Sequence, residues 1–265
     1  MKKDLKKIVQ DKYAALVTQE KESCCGPSSC CGPTDADDIT FFSEDYSQLE
    51  GYVEDADLEL GCGIPVNHIE IKPGMSVLDL GAGAGNDVFV AARMTGPTGN
   101  VVGIDFTPAM VEKARANKAK LGLEYVSFVQ GDIEDMPLAD NSFDLVISNC
   151  VLNLVPNKKK AFSEIKRVLK TGGRFSISDI VLQGELSPAL RDAAALYAGC
   201  VSGALQKDTY LDIVRTAGFQ ALDVAKERKI ELPDALLARH VSADEIKDFR
   251  DSGTGIYSIT LLAQA

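Results

Sequence analysis

The chain has 265 residues, of which 45% are hydrophobic and 25% charged, a composition typical of a globular protein. Its formal net charge of −11 disfavours nucleic acid and anionic membrane surfaces as partners. No apolar run approaches the roughly 20 residues that cross a bilayer, and the N-terminal stretch lacks the apolar core of a signal peptide. We therefore expect a cytoplasmic protein that is not bound to a membrane.

In chain order, residues 1–20 have the apolar spacing of an amphipathic helix, and residues 22–38 form a Gly/Pro/Ser/Asp-rich link. From Ile71, apolar strands alternate with helices. The segments that predict them are "GMSVLDLGAGAGND", "NVVGIDFTPAMVEKARANKAKLG", "YVSFVQGDIEDMPL", "SFDLVISNCVLNLV", "NKKKAFSEIKRVLKTGG" and "RFSISDIVL". We expect Thr107 and Pro108 to open one helix, and Gly172 and Gly173 to close another. Further helices and two late strands follow after Leu182.

This alternation predicts an α/β fold with a doubly wound, mostly parallel seven-stranded sheet of the Rossmann-like kind. We expect three sections. Residues 1–65 hold the N-terminal helix, a mobile Cys-rich extension and the loop of Cys62. Residues 66–182 form the cofactor-binding domain. Residues 183–265 form an α+β section that completes the sheet and covers the substrate.

A Gly-rich turn follows the first strand, where ligands of open α/β sheets bind. Its residues Gly81, Gly83 and Gly85 let the backbone approach a ligand closely. Asp79 precedes them, and its carboxylate suits an amino group better than a pyrophosphate. Asp105 ends the second strand, where it can bind ribose hydroxyls, and Asp132 follows the third, where it can bind an adenine amine.

Together these motifs resemble the class I S-adenosylmethionine-dependent methyltransferases over roughly residues 70–182. The resemblance implies S-adenosylmethionine as the cofactor. It also implies that the cofactor contacts include further residues of these turns, namely Asn86, Phe106, Met110, Ile133 and Asn149.

The chain has seven cysteines, an odd number that favours reduced, functional thiols over a disulfide framework. Cys150 follows strand four in "SNCVLNL", Cys62 lies in "LGCGIP", and Cys200 lies in "LYAGCVSG". Each on its own can be a small buried hydrophobic residue, although the settings of Cys62 and Cys200 look flexible and turn-like. Three converging thiols lack the fourth ligand of a closed zinc site, and they suit a soft trivalent centre such as As(III).

The segments "LGCGIP", "DLGAGAGND", "SNCVLNLVPNKKKAFSEIKRVLKTGG" and "LYAGCVSGAL" resemble the arsenite S-adenosylmethionine methyltransferases over roughly residues 40–265. By that resemblance, Cys150 and Cys200 are the principal As(III) ligands and Cys62 is the third. The family adds an N-terminal cysteine that helps to reduce the product, for which Cys30 or Cys31 is our choice here. Arsenite or its thiol conjugates would be the substrate, and thioredoxin or small thiols the reductant.

The paired cysteines of "SCCGPSSCCG" lack the C-x₂-C spacing of zinc sites. We expect them to capture or relay arsenite, or to supply reducing equivalents, as accessory thiols; these are Cys24, Cys25, Cys30 and Cys31. The alternative is a flexible tail of idle thiols. His68 and His240 are expected to be surface or packing residues.

Other functions stay open from the sequence. A quinone-type or other small-molecule C-methyltransferase would use the same cofactor turn without the cysteines. A non-enzymatic metalloid-binding protein would bind arsenite and ignore S-adenosylmethionine. A nucleic-acid or protein methyltransferase is disfavoured by the charge.

Overall fold

The computed structural model describes residues 2–18, 43–197 and 199–265. Its helices are α1 (Lys2–Thr18), α2 (Asn86–Thr95), α3 (Pro108–Leu121), α4 (Lys158–Val168), α5 (Pro188–Tyr197), α6 (Lys207–Thr216), α7 (Asp234–Leu237) and α8 (Ala243–Asp251). Its strands are β1 (Ser76–Leu80), β2 (Asn100–Asp105), β3 (Val126–Gln130), β4 (Phe143–Asn149), β5 (Leu169–Gln183), β6 (Leu205–Gln206), β7 (Gln220–Ile230) and β8 (Gly255–Gln264). Across these ranges, the helices are too short or too polar to cross a bilayer.

The described strands form one sheet in the order β3-β2-β1-β4-β5-β8-β7, with β6 paired to β5 off this path. Strands β1 to β5 pair in parallel, whereas β8 runs antiparallel between β5 and β7. The predicted doubly wound, mostly parallel sheet is thus confirmed. The two-residue β6 makes an eighth strand, which is too short to give the alternation that predicts strands.

The direction of chain winding reverses between β1 and β4, which are neighbours in the sheet. From β1 the chain moves outward to β2 and β3, then returns to β4 and continues to the other side. The carboxyl ends of β1 and β4 therefore flank the crevice in which open α/β sheets bind ligands. The Gly-rich turn follows β1 at this point, and Cys150 follows β4.

The core packs against both faces of the sheet. In β1 all residues after Ser76 are buried, because helices cover both sides of a parallel sheet. Aromatic rings on one face form a cluster in which Phe162 packs edge-on against Tyr210 and Phe219. Phe162 also packs against Phe175 of β5, with ring centroids 6.0 Å apart, so the cluster holds α4 and α6 against that strand.

One predicted helix boundary is wrong. The helix expected to close at Gly172 and Gly173 ends at Val168, because Leu169 is extended (φ −71°, ψ 139°) and pairs with Phe143 of β4. Gly172, at φ +79°, takes the turn that follows inside the same strand segment. The helix expected at Thr107 does begin at Pro108.

Candidate active site

A cavity opens at the carboxyl ends of β1, β2 and β4. It encloses about 940 Å³ of empty space, including the open solvent at its mouth. Most predicted cofactor residues line it, namely Asp79, Gly81, Gly83, Asn86, Asp105, Phe106, Met110, Ile133 and Asn149. Gly85 does not line the cavity; it is the N-cap residue of α2, with φ +103°.

Two buried carboxylates lie side by side in this cavity. Asp79 is 3% exposed and Asp87, in the first turn of α2, is 8% exposed. Burial raises the pKa of Asp79 well above its usual value, and the neighbouring charge of Asp87 adds to the shift. Burial also raises the pKa of Asp87, to about 6, against hydrogen bonds from Tyr46 and Asn149 that lower it. A bound cation would reduce the charge repulsion between these two carboxylates.

Asp105 is held by backbone amides of the cavity wall. Its Oδ2 accepts the N–H of Gly83 at 3.0 Å and its Oδ1 accepts that of Thr107 at 2.8 Å. A carboxylate oxygen has lone pairs left for a ligand hydroxyl. The expected ribose contact is therefore compatible with its position.

Helix α1 lies across the mouth of the cavity. Val9 and Tyr13 line the cavity from this helix, and Gln10 Nε2 donates to Phe106 O at 3.1 Å. The Lys6 ammonium forms ion pairs with the carboxylates of Asp132 and Glu134. The four residues of α1 that make these contacts share one face of the helix, because their spacing is close to one helical turn; they are Lys6, Val9, Gln10 and Tyr13.

Asp132, expected to contact an adenine amine, does not line the cavity as described. Its carboxylate accepts from Lys6 through Oδ2 and from the N–H of Glu134 through Oδ1. The next residue, Ile133, lines the cavity instead. The loop is therefore in the expected place, but Asp132 binds α1.

The thiols of Cys62, Cys150 and Cys200 converge at the end of β4. All three are free, and Cys150 lies between the other two and hydrogen-bonds with each. Cys62 is fully buried in a bend of the chain, which agrees with the turn-like setting expected for it, and Cys200 is half-buried in the short 3₁₀ helix Gly199–Gly203. Of the three, Cys150 lines the cofactor cavity.

Cys150 has a left-handed backbone conformation, with φ +59°. This conformation costs a residue with a Cβ roughly 1–2 kcal/mol. The Cys150 N–H donates to Ser178 O of β5 at 2.8 Å, which holds the residue in place. The strained turn points the thiol toward Cys62 and Cys200.

The surroundings keep these thiols protonated at neutral pH. Burial raises the pKa of Cys62. For Cys150, a hydrogen bond with Cys200 lowers the pKa. A hydrogen bond with Cys62 and burial both raise it, and together they outweigh the first effect, so the pKa of Cys150 lies well above its ordinary value. The hydrogen bond with Cys150 and burial raise the pKa of Cys200.

The thiols do not form a closed metal cage. Within residues 2–18, 43–197 and 199–265, no group of three or more His, Cys, Asp or Glu side chains is arranged to hold a metal ion. Cys150 is the thiol that interacts with both of the others. His68 and His240 do not line the cavity. The accessory thiols lie outside the described residues; they are Cys24, Cys25, Cys30 and Cys31.

The sequence reasoning missed Tyr13, Tyr46, Asp87 and Asp179. Asp87 directly follows the predicted Asn86 and could have been found from the helical spacing of α2. Tyr46 lies in an acidic segment without periodicity, which gave no signal. Asp179 is fully buried next to the thiols, and burial raises its pKa to about 7.

Comparison with known proteins adds an independent line of evidence. The family model described as a methyltransferase domain matches residues 71–218. An arsenite methyltransferase of Halobacterium salinarum is 38% identical over 84% of this chain and 59% of its own length. One of Aquipseudomonas alcaligenes is 37% identical over 67% of this chain and 53% of its own length. The chain thus spans little more than half the length of these relatives.

A solved structure of a similar protein points to the same family as these relatives. The arsenic(III) S-adenosylmethionine methyltransferase of Chlamydomonas reinhardtii is 31% identical to this chain, with a TM-score of 0.64. The match covers 88% of this chain and 74% of that protein.

Proposed function

The chain belongs to the arsenite S-adenosylmethionine methyltransferases, and on that premise we propose that it transfers methyl groups to trivalent arsenic held by Cys62, Cys150 and Cys200. One observation carries the proposal. The thiols converge where β4 ends, and the central one, Cys150, also lines the cofactor cavity. The methyl donor and the arsenic that accepts the methyl group would therefore lie at the same wall of the cavity.

The cavity residues suit S-adenosylmethionine. The buried Oδ1 of Asn86 has no hydrogen-bond partner among the described residues and needs a donor. A Cβ built on Gly83 would meet no atom within 4 Å, so this backbone is open to a ligand. The buried carboxylates of Asp79 and Asp87 suit the cofactor's cationic groups. When bound, S-adenosylmethionine supplies a methyl group on an electron-poor sulfonium sulfur.

The protonated thiols fit arsenite or a thiol conjugate of it. Each protein thiol that bonds to arsenic replaces one hydroxyl or thiolate, and its proton leaves with that group as water or free thiol. No net proton release is needed, so raised thiol pKa values do not oppose binding. Around the site, apolar side chains such as Ile180, Leu182 and Val201 exclude water.

Methyl transfer needs no general base, because the nucleophile is the arsenic lone pair. The new As–C bond would form from that lone pair as the S–CH₃ bond of the sulfonium breaks, with S-adenosylhomocysteine as the leaving group, and arsenic would become pentavalent. Two cysteine thiols would return it to the trivalent state by forming a disulfide, with the loss of two protons. Cys30 or Cys31 is our choice for one partner, and thioredoxin or a small thiol would then reduce the disulfide.

The decisive experiment incubates reduced full-length protein with arsenite, S-adenosylmethionine and a thiol, followed by chromatography with mass spectrometry. We expect methylated arsenicals from the wild type, and a loss of about a hundred-fold or more in Cys150→Ser. Calorimetric titration of this variant should still show S-adenosylmethionine affinity within about two-fold of wild type, because serine keeps the size of the side chain.

Absence of methylated product from the wild type would overturn the proposal. If arsenite nevertheless binds and S-adenosylmethionine does not, the protein is a metalloid-binding protein. If Cys150→Ser and Cys200→Ser retain turnover on a small organic acceptor, the protein is a C-methyltransferase of the quinone type.

A further inference from the structure

The carboxamide of Asn149 makes a two-point contact with the loop that carries Cys62. Its Oδ1 accepts the N–H of Cys62 at 3.0 Å, and its Nδ2 donates to Gly63 O at 2.8 Å. The side chain thus pairs with the loop as a neighbouring strand would. Because Cys150 is the next residue after Asn149, one short segment fixes both cysteines.

The two glycines beside Cys62 make this contact possible. A Cβ on Gly61 would lie 2.5 Å from Asn149 Nδ2, and one on Gly63 would lie 2.7 Å from Ser178 Oγ. On the far side of the loop, Ser258 Oγ donates to Cys62 O at 2.5 Å. The backbone of Cys62 is therefore held at both its N–H and its C=O.

The polar atoms of Asn149 are all engaged by protein groups. Besides Gly63 O, Nδ2 donates to Tyr46 Oη at 2.8 Å, and Tyr46 Oη in turn donates to Asp87 Oδ1 at 2.8 Å. An amide nitrogen has two N–H donors, and these two short bonds use both. Asp87 Oδ2, at 3.4 Å from Nδ2, is a weaker third contact. The amide has no donor left for a cofactor.

We propose that Asn149 is a positioning residue that sets the Cys62 thiol against the Cys150 thiol, so that both reach one arsenic atom. This inference rests on the proposed function and gives Asn149 a role beyond the cofactor contact expected from the sequence. Without the carboxamide, the Cys62 loop loses two hydrogen bonds and its register against β4. Cys62 then leaves the arsenic, and a water or hydroxyl oxygen takes its place.

The test compares Asn149→Ala with Asn153→Ala, a matched buried asparagine whose Nδ2 donates to Ile180 O at 2.7 Å instead. X-ray absorption spectroscopy of arsenite-loaded, full-length protein counts the As–S bonds. We expect three sulfur ligands in wild type and Asn153→Ala, and two sulfurs with one oxygen in Asn149→Ala. In turnover assays, the KM for arsenite should rise about ten-fold in Asn149→Ala and stay within about two-fold of wild type in Asn153→Ala.

Three sulfur ligands in Asn149→Ala would overturn the inference, as would a KM for arsenite within about two-fold of wild type in that variant. If Asn149→Ala fails to fold, Gly61→Ala disturbs the same contact from the loop side and should show the same loss of one sulfur. A wild type that binds arsenite through three sulfurs but yields no methylated product would overturn the proposed function alone. The ligand count would still decide the role of Asn149.

Discussion

At the scale of single residues, glycines of one turn have different tasks. A Cβ on Gly81 would lie 2.4 Å from Val151 Cγ2, so this glycine is required by packing inside the protein. Gly83 has φ +52° and open space where its Cβ would be, on the wall of the cofactor cavity. At Gly83 the missing side chain leaves room for a ligand. At Gly81 it leaves room for the side chain of Val151.

Gly83→Ala should therefore separate stability from cofactor binding. The left-handed backbone should cost about 1 kcal/mol of the free energy of unfolding, while the methyl group intrudes on the cofactor and weakens its binding about ten-fold or more. Gly122→Ala is the matched control, because Gly122 has φ +65°, equally open space and no part in the cavity. Chemical denaturation and calorimetric titration with S-adenosylmethionine measure the two effects. Equal cofactor affinity in both variants would contradict this assignment.

Residues of the cofactor turn could be predicted because their chemistry follows from local spacing. Asp79, Gly83 and Asp105 sit at strand ends that the apolar pattern locates, and all three line the cavity. Asn149 lines the cavity as expected, but the sequence did not predict that its carboxamide also binds the Cys62 loop. Its contact with Cys62 depends on how a loop 87 residues earlier in the chain folds back, which no local pattern encodes.

At the scale of elements, α1 covers the cofactor cavity and is held there in part by ion pairs at the protein surface. Its ion pairs from Lys6 are partly exposed, with 32% of the lysine side chain accessible. Such pairs contribute about 1 kcal/mol or less. The amphipathic pattern of the first 20 residues predicted the helix. It could not predict the docking face, because the partners Asp132 and Glu134 lie more than a hundred residues away.

Lys6→Ala should make this helix open more often. Loss of the ion pairs should raise the dissociation rate of S-adenosylmethionine by about three- to five-fold, with little change in the free energy of unfolding. Lys7→Ala is the matched control, since Lys7 is an exposed lysine on the same turn. Stopped-flow displacement of bound cofactor measures the rate. An identical rate in both variants would show that α1 does not control access to the cavity.

At the scale of the whole molecule, an acidic chain buries carboxylates that gain little from charge pairing. Asp79 and Asp179 lie in the interior, and burial raises the pKa of each. Asp179 accepts a hydrogen bond from Tyr210 Oη at 3.1 Å, and the nearby Lys158 charge lowers its pKa only in part. Burial is the larger effect, so the carboxyl holds a proton in the folded state to about pH 7.

This proton makes the stability depend on pH in a definite direction. The unfolded carboxyl titrates near 3.9. Between about pH 4 and about pH 7, the folded state therefore binds more protons than the unfolded state. The resulting stability is fully present below the unfolded pKa and is lost as the pH rises through the folded pKa. The free energy of unfolding should accordingly fall across this window, and Asp79 and Asp87 add to the fall.

Asp179→Asn should flatten this dependence, because the amide resembles the protonated acid and its Nδ2 can donate to Tyr210 Oη. From about pH 5 to about pH 8, the wild type should lose on the order of 2 to 3 kcal/mol more stability than the variant. Asp248→Asn, at an exposed position of α8, is the control and should follow the wild type. Urea denaturation at a series of pH values measures the difference. Parallel curves for the wild type and Asp179→Asn would mean that Asp179 is ionised in the folded protein, and that the charge is stabilised by groups other than Lys158.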